Sequence, residues 1–349
     1  REEDAQELIN QLKSIEPVEA MVQKVEQKKE TKNPPLLYNL AEIQNDCSKL
    51  FKINPDETLK VVQELYEKKM VTYPRTDARV LSTSVAKEIA VNLKGLCNLN
   101  AVREVAQEIL TQGNYKNISK TRYVNDKQIT DHYAIIPTGQ GIHELGKLKP
   151  IAAKIYEIIV RRFLAIFLPP AIYKKITLET LIQEEHFFTS FKVLIDPGYY
   201  KVTTYSFAKK DKEAKVEQSE EREPVEEAEE DSNGEVDEEY LNQLAKIKKG
   251  SILPVTDLLI KAGETSPPKR YNSGTLILAM ENAGQLIEDE ELRAQIKGSG
   301  IGTSATRAEI QKKLVSNQYL NLNKKTQIIS PTLLGECIYE VVGASVFSL

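Results

Sequence analysis

Tyr73 and Arg75 are the residues whose types and spacing could most directly do chemistry. Pro74 separates them; it fixes its own φ and biases Tyr73 towards an extended backbone, which limits how the two side chains can be arranged. A phenol is a poor nucleophile unless its anion is stabilised or its proton is removed. A guanidinium stabilises such an anion and also grips phosphate oxygens. Two interpretations stay open: a tyrosine that attacks a phosphodiester, or a buried tyrosine at a turn beside a surface arginine.

Three further stretches carry chemistry-bearing residues, and each also has an ordinary structural explanation. His132 lies in Asp131–Thr138, although a single histidine is more often structural than catalytic. Lys269 and Arg270 follow two prolines, and an isolated basic pair is usually a solvated surface. Residues 298–302 form a glycine-rich turn before a predicted helix, which is a weak signal for anion binding. The run from Thr306 to Glu309 fits a capping box that needs no further function.

Taken together and in this order, the stretches TYPRTD, DHYAIIPT, PPKRY and GIGTSATR resemble the motifs of type IA DNA topoisomerases, with the bacterial topoisomerase III branch nearest in pattern. The resemblance implies that Tyr73 is the nucleophile, that Arg75 and His132 stabilise the phosphate, and that Asp77 orients His132. The DNA contacts that it implies fall on Lys269, Arg270, Thr303, Thr306 and Arg307. Two positions depart from the family pattern: Tyr133 replaces a frequent second histidine, and Ser304 replaces a usual proline.

The implied activity is ATP-independent relaxation or decatenation of DNA, in which Tyr73 cuts a single strand and forms a 5′-phosphotyrosine. No GxxxxGK[ST] motif for ATP is present. Family members also hold Mg²⁺ in a Toprim domain that lies well before the tyrosine. Only 72 residues precede Tyr73 and they contain no DxDxE cluster. We therefore expect a fragment that binds single-stranded DNA, holds no metal of its own and is inactive without the missing Toprim domain.

Two other classes of function stay open. A non-catalytic module that binds single-stranded nucleic acid would keep its activity after Tyr73→Phe. A tyrosine recombinase would need an arginine-rich set and a histidine ahead of a C-terminal tyrosine. Tyr73 lies early and precedes His132, so the order of residues disfavours the recombinase.

The composition is that of a globular protein of two or three domains, with 349 residues, 41% hydrophobic and 28% charged. No apolar run approaches about 18 residues, and the N-terminus does not resemble a signal peptide. Three cysteines without CxxC spacing argue against a zinc ribbon or a disulfide framework and fit the reducing cytoplasm of a bacterium. The net charge of −4 divides into −10 for residues 209–240 and +6 for the rest, which is compatible with DNA binding.

Apolar periodicity and capping residues predict the elements that position these residues. Helices are expected over 1–12, 40–51, from a cap at Asn54 to 69, 84–94, 101–112 and 151–167. Strands are expected over 18–25, 173–207 and 255–260. The last part predicts a helix through 276–287, a helix opened by Thr306, a strand over 326–330 and a closing helix that contains Leu333, Leu334, Ile338, Val341 and Val342.

The predicted fold is multidomain α+β. Residues 1–35 begin a β arch, and 36–170 form a helical domain that carries Tyr73. Residues 171–265 complete the antiparallel β arch, with an acidic disordered loop at about 209–240. Residues 266–349 form a mostly helical, winged-helix-like DNA-binding domain that is truncated.

Overall fold

The computed structural model describes residues 2–208, 247–286 and 300–342. The predicted acidic loop lies outside these residues. The helices are α1 (Glu2–Leu12), α2 (Leu40–Phe51), α3 (Pro55–Glu67), α4 (Thr83–Leu96), α5 (Arg103–Gln112), α6 (Pro150–Ala165), α7 (Ser273–Glu281), α8 (Arg307–Ser316) and α9 (Leu333–Val342). The strands are β1 (Glu19–Lys32), β2 (Ala171–Ile182), β3 (Glu185–Asp196), β4 (Ile252–Pro254), β5 (Leu320–Leu322) and β6 (Ile329–Pro331). An α+β architecture with an antiparallel sheet is therefore confirmed.

The first of two compact units contains residues 1–34, 169–201 and 215–267. Its sheet has the order β3-β2-β1-β4, and every neighbouring pair is antiparallel. The β2–β3 hairpin pairs Ile182 with Glu185 across a two-residue turn. Leu12 at the end of α1 packs on Ala20 and Ile182, which gives one end of the sheet an apolar core.

The second unit contains residues 35–168, 202–214 and 268–349. The Asn54 side chain accepts from the Glu57 amide at the start of α3, as the sequence predicts. Asn39, which was not predicted as a cap, accepts from the Glu42 amide at the start of α2. Gly113 takes the left-handed conformation (φ 73°) that ends α5. The long apolar face of α6 is buried in this core. The predicted division into three domains stays a prediction.

The strand predictions need two corrections. Strand β3 ends at Asp196 and a 3₁₀ turn follows over Gly198–Val202, so the predicted strands do not reach 207. Residues 255–260 do not form the predicted strand, because the strand lies earlier, at Ile252–Pro254. The alternating apolar residues after it pack on α1 instead, with Val255 and Leu258 among them.

The last described part differs from expectation at the start of α8. Thr306 makes no side-chain cap to α8, so the predicted capping box is wrong; its hydroxyl instead accepts from the Thr303 amide at 2.9 Å. The predicted closing helix is observed as α9, where Leu333 and Val341 are 78% and 82% exposed. The order α8, β5–β6 hairpin, α9 is observed, while the winged-helix assignment stays a prediction.

Candidate active site

Tyr73 lies shortly after the end of α3. Lys68 closes the helix and Lys69 adopts a left-handed backbone with φ 60°. The Met70 amide then donates to the Leu65 carbonyl at 2.9 Å, which reverses the chain direction. Met70 is fully buried, so the segment that carries Tyr73 starts from an anchored residue.

Backbone pairing brings His132 to Tyr73 from 59 positions away in the sequence. The Thr72 amide donates to the Ile136 carbonyl at 3.0 Å, and the Thr72 hydroxyl donates to the Ala134 carbonyl at 2.9 Å. The Thr76 hydroxyl donates to the His132 carbonyl at 2.7 Å. The two predicted motifs therefore lie side by side, held by threonine side chains that the sequence analysis did not single out.

The Tyr73 ring lies against two other aromatic rings. Its centroid is 4.4 Å from that of His132, and Tyr66 of α3 meets it edge-on at 5.4 Å. Among the described residues, the Tyr73 hydroxyl has no hydrogen-bond partner and the His132 imidazole has no carboxylate partner. Arg75 is exposed and makes no ion pair within the same part of the chain. Tyr73, His132 and Arg75 are therefore free, within the described residues, to meet a substrate.

Asp77 does not orient His132 as the resemblance implied. Its carboxylate accepts from Arg307 Nη1 at 2.8 Å. The other guanidinium nitrogens donate to the carbonyls of Ile301 and Gly302 at 3.3 and 3.1 Å, and only 6% of the Arg307 side chain is exposed. Arg307 thus ties the glycine-rich turn to the tyrosine motif, and its contact with DNA stays a prediction.

A second carboxylate, Glu281 at the end of α7, lies beside this ion pair. It accepts from Asn39 Nδ2 at 2.7 Å and lies 3.9 Å from Arg307 Nη1. Asn39 also donates to the Asp77 carbonyl at 3.1 Å. Burial raises the pKa of the Glu281 carboxyl above its usual range, although Arg307 acts in the opposite direction. Sequence reasoning missed Glu281 and Asn39, and periodicity gives no signal for them.

The remaining predicted DNA contacts lie on exposed surface. Lys269 and Arg270 fall in a segment without regular structure and are exposed. Thr303 and Thr306 are also exposed, and their hydroxyl oxygens lie 3.2 Å apart. All four side chains are thus on surface that is open to solvent.

Three structural facts bear on metal, thiol and membrane chemistry. Within residues 2–208, 247–286 and 300–342, no group of three or more His, Cys, Asp or Glu side chains could hold a metal ion, so these residues do not fit a magnesium site. Cys47, Cys97 and Cys337 are free. None of the helices described for this chain is both long enough and apolar enough to cross a bilayer.

Comparisons with known proteins agree on one family. A family model described as DNA topoisomerase matches residues 1–348. The chain is 36% identical over 312 residues to DNA topoisomerase 3 of Bacillus licheniformis, covering 88% of this chain and 38% of that protein. It is 34% identical over 336 residues to DNA topoisomerase 3 of Bacillus subtilis, covering 95% of this chain and 42% of that protein. The chain thus spans about two fifths of the length of these curated relatives.

A solved structure, full-length topoisomerase I from Thermotoga maritima, shares the fold. The TM-score is 0.61 at 19% sequence identity, and the match covers 96% of this chain and 46% of that one. At this identity the likeness concerns the fold, while the family follows from the sequence matches. The resemblance seen in the four motifs is confirmed.

Proposed function

The chain belongs to the DNA topoisomerase family, and from that premise we propose that it supplies the strand-cutting tyrosine, Tyr73, of a type IA enzyme. The observation that carries this proposal is the contact between the Tyr73 and His132 rings at 4.4 Å, next to a tyrosine hydroxyl that no described residue engages. A structural tyrosine buried at a turn would be expected to have its hydroxyl bonded to the protein.

In the proposed reaction the Tyr73 oxygen attacks the phosphorus of a phosphodiester. The bond from phosphorus to the 3′-oxygen breaks, which gives a 5′-phosphotyrosine and a free 3′-hydroxyl. The phenolic proton must leave, and the His132 imidazole beside the ring can accept it. The departing 3′-oxygen takes up a proton from water to become the hydroxyl. Arg75 stabilises the charge that builds on the phosphoryl oxygens. Attack by the 3′-hydroxyl on the phosphotyrosine reverses each of these steps, so no ATP is consumed.

The substrate strand would be held mainly through its backbone. Lys269 and Arg270 supply positive charge, and Thr303 and Thr306 supply hydroxyl donors. Contacts of these kinds position a strand and carry little sequence information. Their contribution to affinity should fall as salt is added, since binding of a cation to the strand releases counterions.

Relaxation and decatenation belong to the proposal for the whole protein. They require a strand-passage cycle and the Mg²⁺ of a Toprim domain, which we propose to be part of the same polypeptide. On this proposal the chain by itself binds single-stranded DNA and forms little or no covalent adduct.

A denaturing gel with a single-stranded oligonucleotide and Mg²⁺ tests the tyrosine. Any adduct that forms should carry label from the 3′ end, because the 3′ fragment keeps the phosphate that Tyr73 binds, whereas label at the 5′ end should be released. Tyr73→Phe should abolish any adduct without changing affinity. Binding of the oligonucleotide without an adduct supports the proposal that this chain needs the Toprim domain and its Mg²⁺ for cleavage. A chain with neither binding nor adduct, or an adduct that survives Tyr73→Phe, contradicts the proposal.

A further inference from the structure

An open pocket of about 590 Å³ lies directly beside Tyr73. This volume is in the range of clefts that hold small organic ligands. Its walls include Tyr66, Lys69, Tyr73, His132 and Tyr133. The reaction proposed for Tyr73 uses only the tyrosine hydroxyl and the imidazole, so the rest of the pocket is not accounted for by that chemistry.

Aromatic rings dominate this pocket. Tyr66 of α3 is 39% exposed. Tyr133 is partly buried, and burial raises the pKa of its phenol, which keeps the ring neutral. Aromatic faces of this kind stack on nucleobases of any sequence. Tyr133 is also the position at which this chain departs from the family pattern of two histidines.

Lys69 adds a positive charge to the same pocket. Its backbone has φ 60°, a conformation that favours glycine and that lysine adopts at an energetic cost. Its side chain is exposed and makes no ion pair within the described residues. The neighbouring Glu67, which also lines the pocket, accepts a hydrogen bond from the Gln63 amide at 3.2 Å. The Lys69 ammonium is therefore available to a phosphate.

We propose that this pocket is a nucleotide subsite, in which Tyr66 and Tyr133 stack on the base next to the phosphate that Tyr73 attacks and Lys69 holds the adjoining phosphate. This inference rests on the proposed function, because it takes the strand that Tyr73 cuts as the ligand. Tyr66 and Lys69 lie outside the four motifs, and Tyr133 lies in DHYAIIPT at a position to which the resemblance gives no role.

The test compares two oligonucleotides of about twelve nucleotides, one of thymidines and one in which every base is replaced by an abasic tetrahydrofuran. Both carry the same charge, so the ratio of their dissociation constants isolates stacking. The double variant Tyr66→Leu, Tyr133→Leu should lower the preference for the thymidine strand over the abasic strand by about fivefold or more. Fluorescence anisotropy measures both dissociation constants. Affinity for the abasic strand should stay unchanged, as it should for Tyr115→Leu on both strands.

Lys69→Gly removes the charge in a backbone conformation that glycine prefers, so folding should not suffer. It should weaken both oligonucleotides equally and reduce the slope of log K against log salt by about 0.7. Lys87→Ala on α4 serves as the control for a lost surface charge. The subsite is wrong, while the proposed function stands, if the tyrosine variants leave the ratio unchanged. The same holds if Lys69→Gly weakens binding of the oligonucleotides no more than Lys87→Ala does. A chain that binds neither oligonucleotide overturns both.

Discussion

At the residue scale, Tyr73 and His132 meet because threonine hydroxyls join the two segments that carry them. Thr76 donates to the His132 carbonyl and also accepts from the Ala78 amide at 3.1 Å. Thr76 is buried, so water cannot easily replace these bonds. The hydrogen bonds of Thr76 to the backbone thus place the segment that carries the imidazole, and this placement does not depend on a carboxylate.

We predict that Thr76→Val lowers the free energy of unfolding by about 1–3 kcal/mol, because two buried backbone groups lose their partner while the shape of the side chain is kept. Urea denaturation measures this loss. Thr111→Val is the matched control, since Thr111 donates only to the carbonyl of Gln107 within its own exposed helix. An equal effect of both substitutions would show that Thr76 does not hold the segment of His132.

Glu281 gives the stability of the protein a specific pH dependence. Burial raises its folded pKa above the unfolded value, so the folded chain keeps a proton that the unfolded chain has already lost. Stability therefore falls as the pH rises from the unfolded pKa through the folded one, and is constant above it. Glu281→Gln keeps an acceptor for Asn39 and removes this titration.

We therefore expect Glu281→Gln to gain stability relative to the wild type as the pH is raised from about 4 to 7. Thermal or urea unfolding at a series of pH values measures the difference. Glu309→Gln, on an exposed part of α8, should give a difference that does not change in this way. A flat difference for Glu281→Gln would mean that Arg307 compensates the burial of the carboxylate in full.

At the scale of elements, helix α7 packs on α2 through a position where only glycine fits. A Cβ on Gly274 would lie 2.6 Å from the Cα of Asn45, which is backbone and cannot rotate away. Ser273 and Ser48 share a hydrogen bond of 3.0 Å at the same contact. This contact positions Glu281, at the far end of α7, beside Arg307 and Asp77.

We predict that Gly274→Ala destabilises the protein by about 1–3 kcal/mol through overpacking, with a lower midpoint in urea. Gly146→Ala should change the stability by less than about 0.5 kcal/mol, because a Cβ there meets no atom within 4 Å. If the two substitutions have the same effect, the close approach of α7 to α2 is not required by the fold.

Local chemistry made most of the helices predictable. Asn54 followed by Pro55 fixes the start of α3, and Gly113 fixes the end of α5, because caps act within one turn. The same reasoning failed at Thr306, because its hydroxyl accepts a hydrogen bond from the Thr303 amide in the turn before α8. The ion pair between Arg307 and Asp77 was beyond sequence reasoning, since its partners are 230 positions apart and no local pattern links them.

At the scale of the whole molecule, charge is divided unevenly along the chain. Residues 209–240 carry 15 acidic and 5 basic side chains, and the rest of the chain has a net charge of +6. The negative charge of residues 209–240 should repel a phosphate backbone over distances set by the Debye length, which is about 10 Å at 0.1 M salt. Net charge affects association with other molecules and does not determine the fold.

We predict that replacing residues 209–240 by a short Gly-Ser linker tightens binding of single-stranded DNA several-fold at about 0.02 M salt and hardly at all at about 0.5 M, because salt screens the repulsion. Anisotropy titrations at both concentrations measure this. A second variant keeps the length and changes the acidic residues to amides. If charge is the cause, both variants gain the same affinity at low salt. If only the shortened chain gains, the segment hinders DNA by its bulk, and if neither gains, its charge lies too far from the bound strand to matter.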